Sequence, residues 1–176
     1  LDQPASEFRT TLTESVSPQL QGVDFIMDLR MVVEPPVAAR AAKRHRPADI
    51  RRLASIQAQM ERAKDVGSVV ELDIAFHREI ANATHNPLLL RLLEVTSEWM
   101  GPSRQTALQR PRRYESSMQA HRLILSAIPQ REEVAAHDAM RDHLDVVRAN
   151  IQEVLDGQAR GTAGGVQSGK LSRPVS

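Results

Sequence analysis

The chain has 176 residues, 23 basic and 22 acidic, for a net charge of +1, so no global field draws it to nucleic acid or to an anionic membrane. Its length suffices for one domain with a substantial core, which must be aliphatic because apolar residues reach 41% and aromatics only 3%. The absence of cysteine excludes disulfides and thiolate metal sites and leaves His, Asp and Glu as candidate ligands. No apolar run approaches the roughly 18 residues of a membrane span and no secretory pattern opens the chain, so the expected setting is soluble and cytoplasmic.

Residues 1–20 are polar, rich in Ser and Thr, and interrupted by Pro4 and Pro18, as expected of a partly disordered lead-in. A helix follows in which Phe25, Ile26, Leu29, Val32 and Val33 share a face, and Pro35-Pro36 is expected to end or kink it. A second helix restarts at Pro36 through Arg44, and Pro47 opens a third with Ile50, Leu53, Ile56 and Met60 at spacings of three and four. Gly67 reads as a separator, with Ser68-Val69-Val70-Glu71 as a capping box for the fourth helix. Asn86-Pro87 is the N-cap and first turn of a fifth, and Gly101-Pro102 kinks or ends it. Arg110 to Arg113 is a basic connection. The sixth helix carries Met118, His121, Ile124, Leu125 and Ile128 along one side. The last carries Val134, Met140, Leu144, Val147, Ile151 and Leu155, with Gly157 as its C-cap. The fold class is therefore all-α, an antiparallel bundle of about seven helices over residues 21–157, followed by a flexible tail at 158–176.

One stretch of the fourth helix breaks the apolar pattern. Val69, Leu72, Phe76 and Ile80 recur at helical spacing, yet Asp73 falls within their arc and His77 beside it, one turn on. A carboxylate aimed at a dry core needs a cation or a metal as partner. The spacing alone is weak, because ten Asp and six His produce such a pair by chance roughly one time in three. His121 adds weight, since it lies near the middle of its own helix's apolar stripe. On the last helix His143 and His137 flank opposite edges of the stripe, and periodicity does not choose between them. The alternative for each His is a neutral imidazole bonded to a backbone carbonyl, and for Asp73 an ion pair with an Arg from another helix.

The run Asp73-Ile74-Ala75-Phe76-His77-Arg78-Glu79-Ile80-Ala81-Asn82-Ala83 followed by Asn86-Pro87-Leu88 resembles the signature of the C-terminal effector (FCD) domain of GntR-type regulators of the FadR subfamily. Three further segments are similar in the same order: Leu29 to Pro35 to the family's first helix, His121 to Ile128 to its sixth, and Ala136 to Leu144 to its last. The resemblance implies a metal held by Asp73, His77, His121 and His143, and so selects His143 over His137. It implies a divalent ion, zinc first with nickel or manganese as alternatives, and a small carboxylate or sugar-acid effector that can bind the metal's open positions. Arg30 matches the family arginine that reaches the effector's carboxylate. The resemblance also implies a homodimer that reads DNA through an N-terminal winged helix-turn-helix; nothing of that kind is expected before Gly22, so DNA contact is not assigned to these residues.

The leading expectation is thus a ligand-sensing and dimerisation module with no catalytic residues. The alternative is a metal-dependent hydrolase or lyase using the same donors, which requires a general base, with Glu34 and Asp142 as candidates.

Overall fold

The computed structural model describes residues 23–99 and 111–164, and among them six helices and no strand. They are α1 (Val23–Arg44), α2 (Pro47–Met60), α3 (Val66–Asn82), α4 (Pro87–Trp99), α5 (Pro111–Ala127) and α6 (Glu133–Gly164). The all-α reading holds, with six helices in place of about seven. The expected disordered lead-in at 1–20, the Gly101-Pro102 break and the chain from 165 onward lie outside the described residues.

The difference in count arises at Pro35-Pro36, which do not divide α1. Each proline removes one ladder hydrogen bond, at a cost of about 3 kcal/mol or more in a helix interior. Burial on both sides of the pair offsets it: Ile26, Met27, Arg30 and Glu34 precede it, and Val37, Ala38, Ala41 and Ala42 follow it, all in the core. The three alanines bring the α1 backbone close to its neighbours. Its main packing partner is α6, the longest helix, and it also meets α3 and α4. α5 lies against α6, and α2 against both α3 and α5.

The helix starts follow local chemistry. α3 begins at Val66, with Asp65 as N-cap accepting the Ser68 N–H at 2.8 Å and the Ser68 hydroxyl at 2.7 Å. Gly67 therefore lies inside the helix, and Ser68 serves the cap instead of forming it. Asn86 caps α4 as expected, accepting the Leu88 N–H at 3.0 Å. At the other end of the chain α6 runs through Gly157 to Gly164, so that glycine does not end it.

Two contacts between distant segments fix the register. Tyr114 donates its hydroxyl hydrogen to the Met60 carbonyl at 2.8 Å, which ties α5 to the open end of α2. Asp49, buried at the start of α2, accepts the Arg46 N–H at 2.7 Å, contacts Arg52, and lies 2.9 Å from His85 Nε2 in the α3–α4 turn. Burial alone would push the Asp49 carboxyl up, but the Arg46 amide, His85 and Arg52 together hold it below the ordinary aspartate value. Its folded-state value is depressed, so its stabilisation is complete above the unfolded value near 3.9 and is lost as pH falls through the lower folded value. Asp49→Asn is expected to cost about 1–3 kcal/mol in urea unfolding at pH 7 and to flatten the acid limb of the stability curve below about pH 4.

Candidate metal centre

α3, α5 and α6 each send imidazole or carboxylate groups into one point of the core. Asp73 and His77 are one turn apart on α3, His121 comes from the middle of α5, and His143 from α6. All four are buried, and one donor atom from each lies within 4.8 Å of every other. The imidazole centroids are 5.5 Å apart for His77 and His121, 5.2 Å for His77 and His143, and 4.7 Å for His121 and His143. Asp73 Oδ1 lies 3.4 Å from His121 Nε2 and 3.9 Å from His77 Nε2. Phe76 stacks on the His121 ring at 4.4 Å and fixes its plane.

The other imidazoles are used differently. His137 is half-exposed and its Nδ1 meets the Asp138 carboxylate at 3.0 Å, so the structure brings His143, not His137, to the cluster. His45 Nδ1 lies 3.0 Å from the Ala42 carbonyl, and His85 contacts Asp49.

The cluster fits a metal ion on the chemistry of its own atoms. Both ring nitrogens of His143 and Nε2 of His77 are buried without a hydrogen-bond partner, which is costly for any group that has no further role. His143 thus makes no carbonyl bond of the kind a purely structural histidine makes. Burial, reinforced by the neighbouring His121 and His77, holds its pKa well below the ordinary histidine value, so the ring is neutral and has a lone pair to offer. Divalent first-row ions hold nitrogen and oxygen donors at about 2.0–2.2 Å, which sets donors on opposite sides of an ion about 4.2 Å apart. Four donors within 4.8 Å form a coordination shell only slightly expanded.

Behind this group lies a pair that sequence reasoning had placed only in part. Arg30 was expected to face an effector, and Glu34 was named only as a candidate base. In the structure Arg30 Nε donates to Glu34 Oε1 at 2.5 Å and Nη2 to Oε2 at 3.3 Å, with both side chains buried. Glu34 Oε2 is also 2.6 Å from His77 Nδ1. Although burial alone would raise it, Arg30 and His77 hold the Glu34 carboxyl well below the usual carboxylate range, which makes it a poor base. The other candidate base, Asp142, is exposed and pairs with Arg141. The i, i+4 spacing of Arg30 and Glu34 was the available signal for their pairing; the contact with His77 had none.

The family model described as the FCD domain matches residues 25–146. The chain belongs to the FCD domain family. The match takes in α1 from Phe25 onward and all four donors. Among curated proteins this FCD domain is 28% identical over 140 residues to the putative L-lactate dehydrogenase operon regulatory protein of Escherichia coli K12, covering 77% of this chain and 54% of that protein. It is 29% identical over 150 residues to the HTH-type transcriptional regulator LutR of Bacillus subtilis 168, covering 78% and 64%. A solved GntR structure from Streptococcus agalactiae is similar with a TM-score of 0.60 and 29% identity, over 70% of this chain and 56% of that one. The chain spans about half the length of the first of these curated relatives. The resemblance seen in four separate motifs is thereby supported across the fold.

An imidazole with two unsatisfied nitrogens lowers the stability of the metal-free core. His143→Leu is therefore expected to raise the unfolding free energy of metal-stripped protein by about 1–3 kcal/mol in urea melts, while losing any stabilisation by added zinc.

Proposed function

We propose that this FCD domain is the ligand-sensing part of a GntR-type transcription regulator, in which Asp73, His77, His121 and His143 hold a divalent metal ion and a small organic carboxylate completes its shell. Zinc suits three imidazoles and one carboxylate best, with nickel or manganese as alternatives. The observation that carries this reading is the set of buried inward donors, with the orphaned nitrogens of His143 and His77 among them.

Charge supports an anionic effector. Asp73 and Glu34 bring one negative charge each into the core and Arg30 one positive, leaving a net of −1; a divalent ion turns it to +1, and one monocarboxylate closes it to zero. Arg30 gives two of its N–H groups to Glu34, and the others are the donors offered to such a carboxylate. One relative is named for an L-lactate dehydrogenase operon, and lactate is a small carboxylate.

The relatives are regulators by name, and this domain spans only part of their length. DNA contact accordingly belongs to a separate N-terminal domain, and the regulator works as a cytoplasmic homodimer. Among the described residues no helix is long and apolar enough to cross a membrane. The enzyme reading loses ground because neither Glu34 nor Asp142 is placed to activate water.

Metal-stripped protein given Zn²⁺ at about a hundred times its Kd is expected to gain about 2.7 kcal/mol, or roughly 5–10 °C in thermal melting. His121→Ala should abolish most of that gain, and L-lactate as probe should add a further increment only when metal is present. Protein that purifies without metal by elemental analysis and melts unchanged with Zn²⁺, Ni²⁺ and Mn²⁺ would overturn the reading. A metal-dependent shift with no carboxylate increment would reduce the ion to a structural brace.

A further inference from the structure

His77 has two ring nitrogens in different surroundings. Nε2 faces the donor cluster, 3.9 Å from Asp73 Oδ1, while Nδ1 is 2.6 Å from Glu34 Oε2 on another helix. A neutral imidazole carries one proton, and a carboxylate only accepts. Contact with Glu34 therefore keeps the proton on Nδ1 and leaves the Nε2 lone pair for a metal. The separation is that of a close ion-pair contact, although the N–H is not aligned on the carboxylate oxygen for a hydrogen bond as the ring stands.

Glu34 is itself held. The Arg30 fork grips both its oxygens, and Arg30, Glu34 and His77 are each at most 2% exposed, so the carboxylate cannot turn to water. Both Arg30 and Glu34 lie on α1, which contributes none of the four donors. We propose that Glu34, clamped by Arg30, is the positioning residue of the metal centre: it sets the tautomer and orientation of His77 and so couples α1 to metal affinity. The inference rests on the metal-binding reading above for its affinity consequence, but its consequence for the His77 tautomer stands without metal. Partners of this kind behind a histidine ligand typically change metal affinity 10–100-fold.

The test uses this 176-residue chain. In metal-stripped protein, ¹⁵N NMR of the His77 ring is expected to show the Nδ1–H form, and Glu34→Gln is expected to lose that preference. Chelator competition should show zinc affinity falling about 10–100-fold in Glu34→Gln. Because that variant leaves Arg30 without a charged partner, the double change Arg30→Met with Glu34→Met removes both charges together and is expected to fold, by circular dichroism, with the same affinity loss. Leu53→Ala, a fully buried change on α2, controls for general destabilisation and should keep zinc affinity within about twofold. An Nε2–H tautomer in the wild type, or folded variants of Glu34 that bind zinc within twofold of it, would overturn the proposal. A wild type that binds no metal would overturn the affinity claim together with the metal reading, whereas wild-type binding with unchanged Glu34→Gln affinity would remove this proposal alone.

Discussion

Three imidazoles and a carboxylate converge in a core built mainly of Leu, Ile, Met, Val and Ala, and the cost of keeping them dry governs much of what surrounds them. Both ring nitrogens of His143 and Nε2 of His77 are buried without a hydrogen-bond partner, and the helices that supply the four groups leave them almost no exposure. Keeping His143 neutral lowers the cost of holding such a set in low dielectric. Phe76 stacks against His121 and closes one wall with an apolar face, so the site keeps its shape without adding another polar group.

Charge extends outward from this point in a chain. Asp73 lies among the imidazoles, His77 links them to Glu34, and Glu34 ends on the Arg30 fork. Arg30 supplies the donors that Glu34 accepts, and Glu34 presents an acceptor to His77 Nδ1, so the chain crosses from α3 to α1. The remainder of the bundle is tied by simpler contacts. Asp49 joins the start of α2 to the α3–α4 turn, and Tyr114 joins α5 to the end of α2. These hold the frame so that the polar centre need not.

Much of this was legible in the sequence, for reasons that differ by residue. Asp73 showed itself because a carboxylate within an apolar arc contradicts the pattern around it, and His121 because it interrupts a stripe. His143 did not, since it sits at a stripe's edge as His137 does; only the likeness to a family distinguished them, and the structure agrees by leaving His137 half-exposed. Pro35-Pro36 do not end a helix as their local chemistry predicts, because tertiary packing prevails: burial on either side keeps α1 continuous. Gly67 is no separator for a local reason, because Asp65, two residues before it, supplies the cap. The role of Glu34 could not be read at all, because its decisive contact is with a residue 43 positions away on a different helix.

The continuity of α1 has a mechanical side. At 22 residues it is a rod about 33 Å long, yet near its midpoint the two prolines leave the carbonyls of Met31 and Val32 without their ladder partners. Val32 itself is exposed, which puts this stretch of α1 on the solvent side. Bending resistance in a helix comes largely from that ladder, so the rod is most compliant immediately beside Glu34. A strain arising at the polar centre therefore meets α1 at the one place along its length where the two halves can tilt against each other most cheaply.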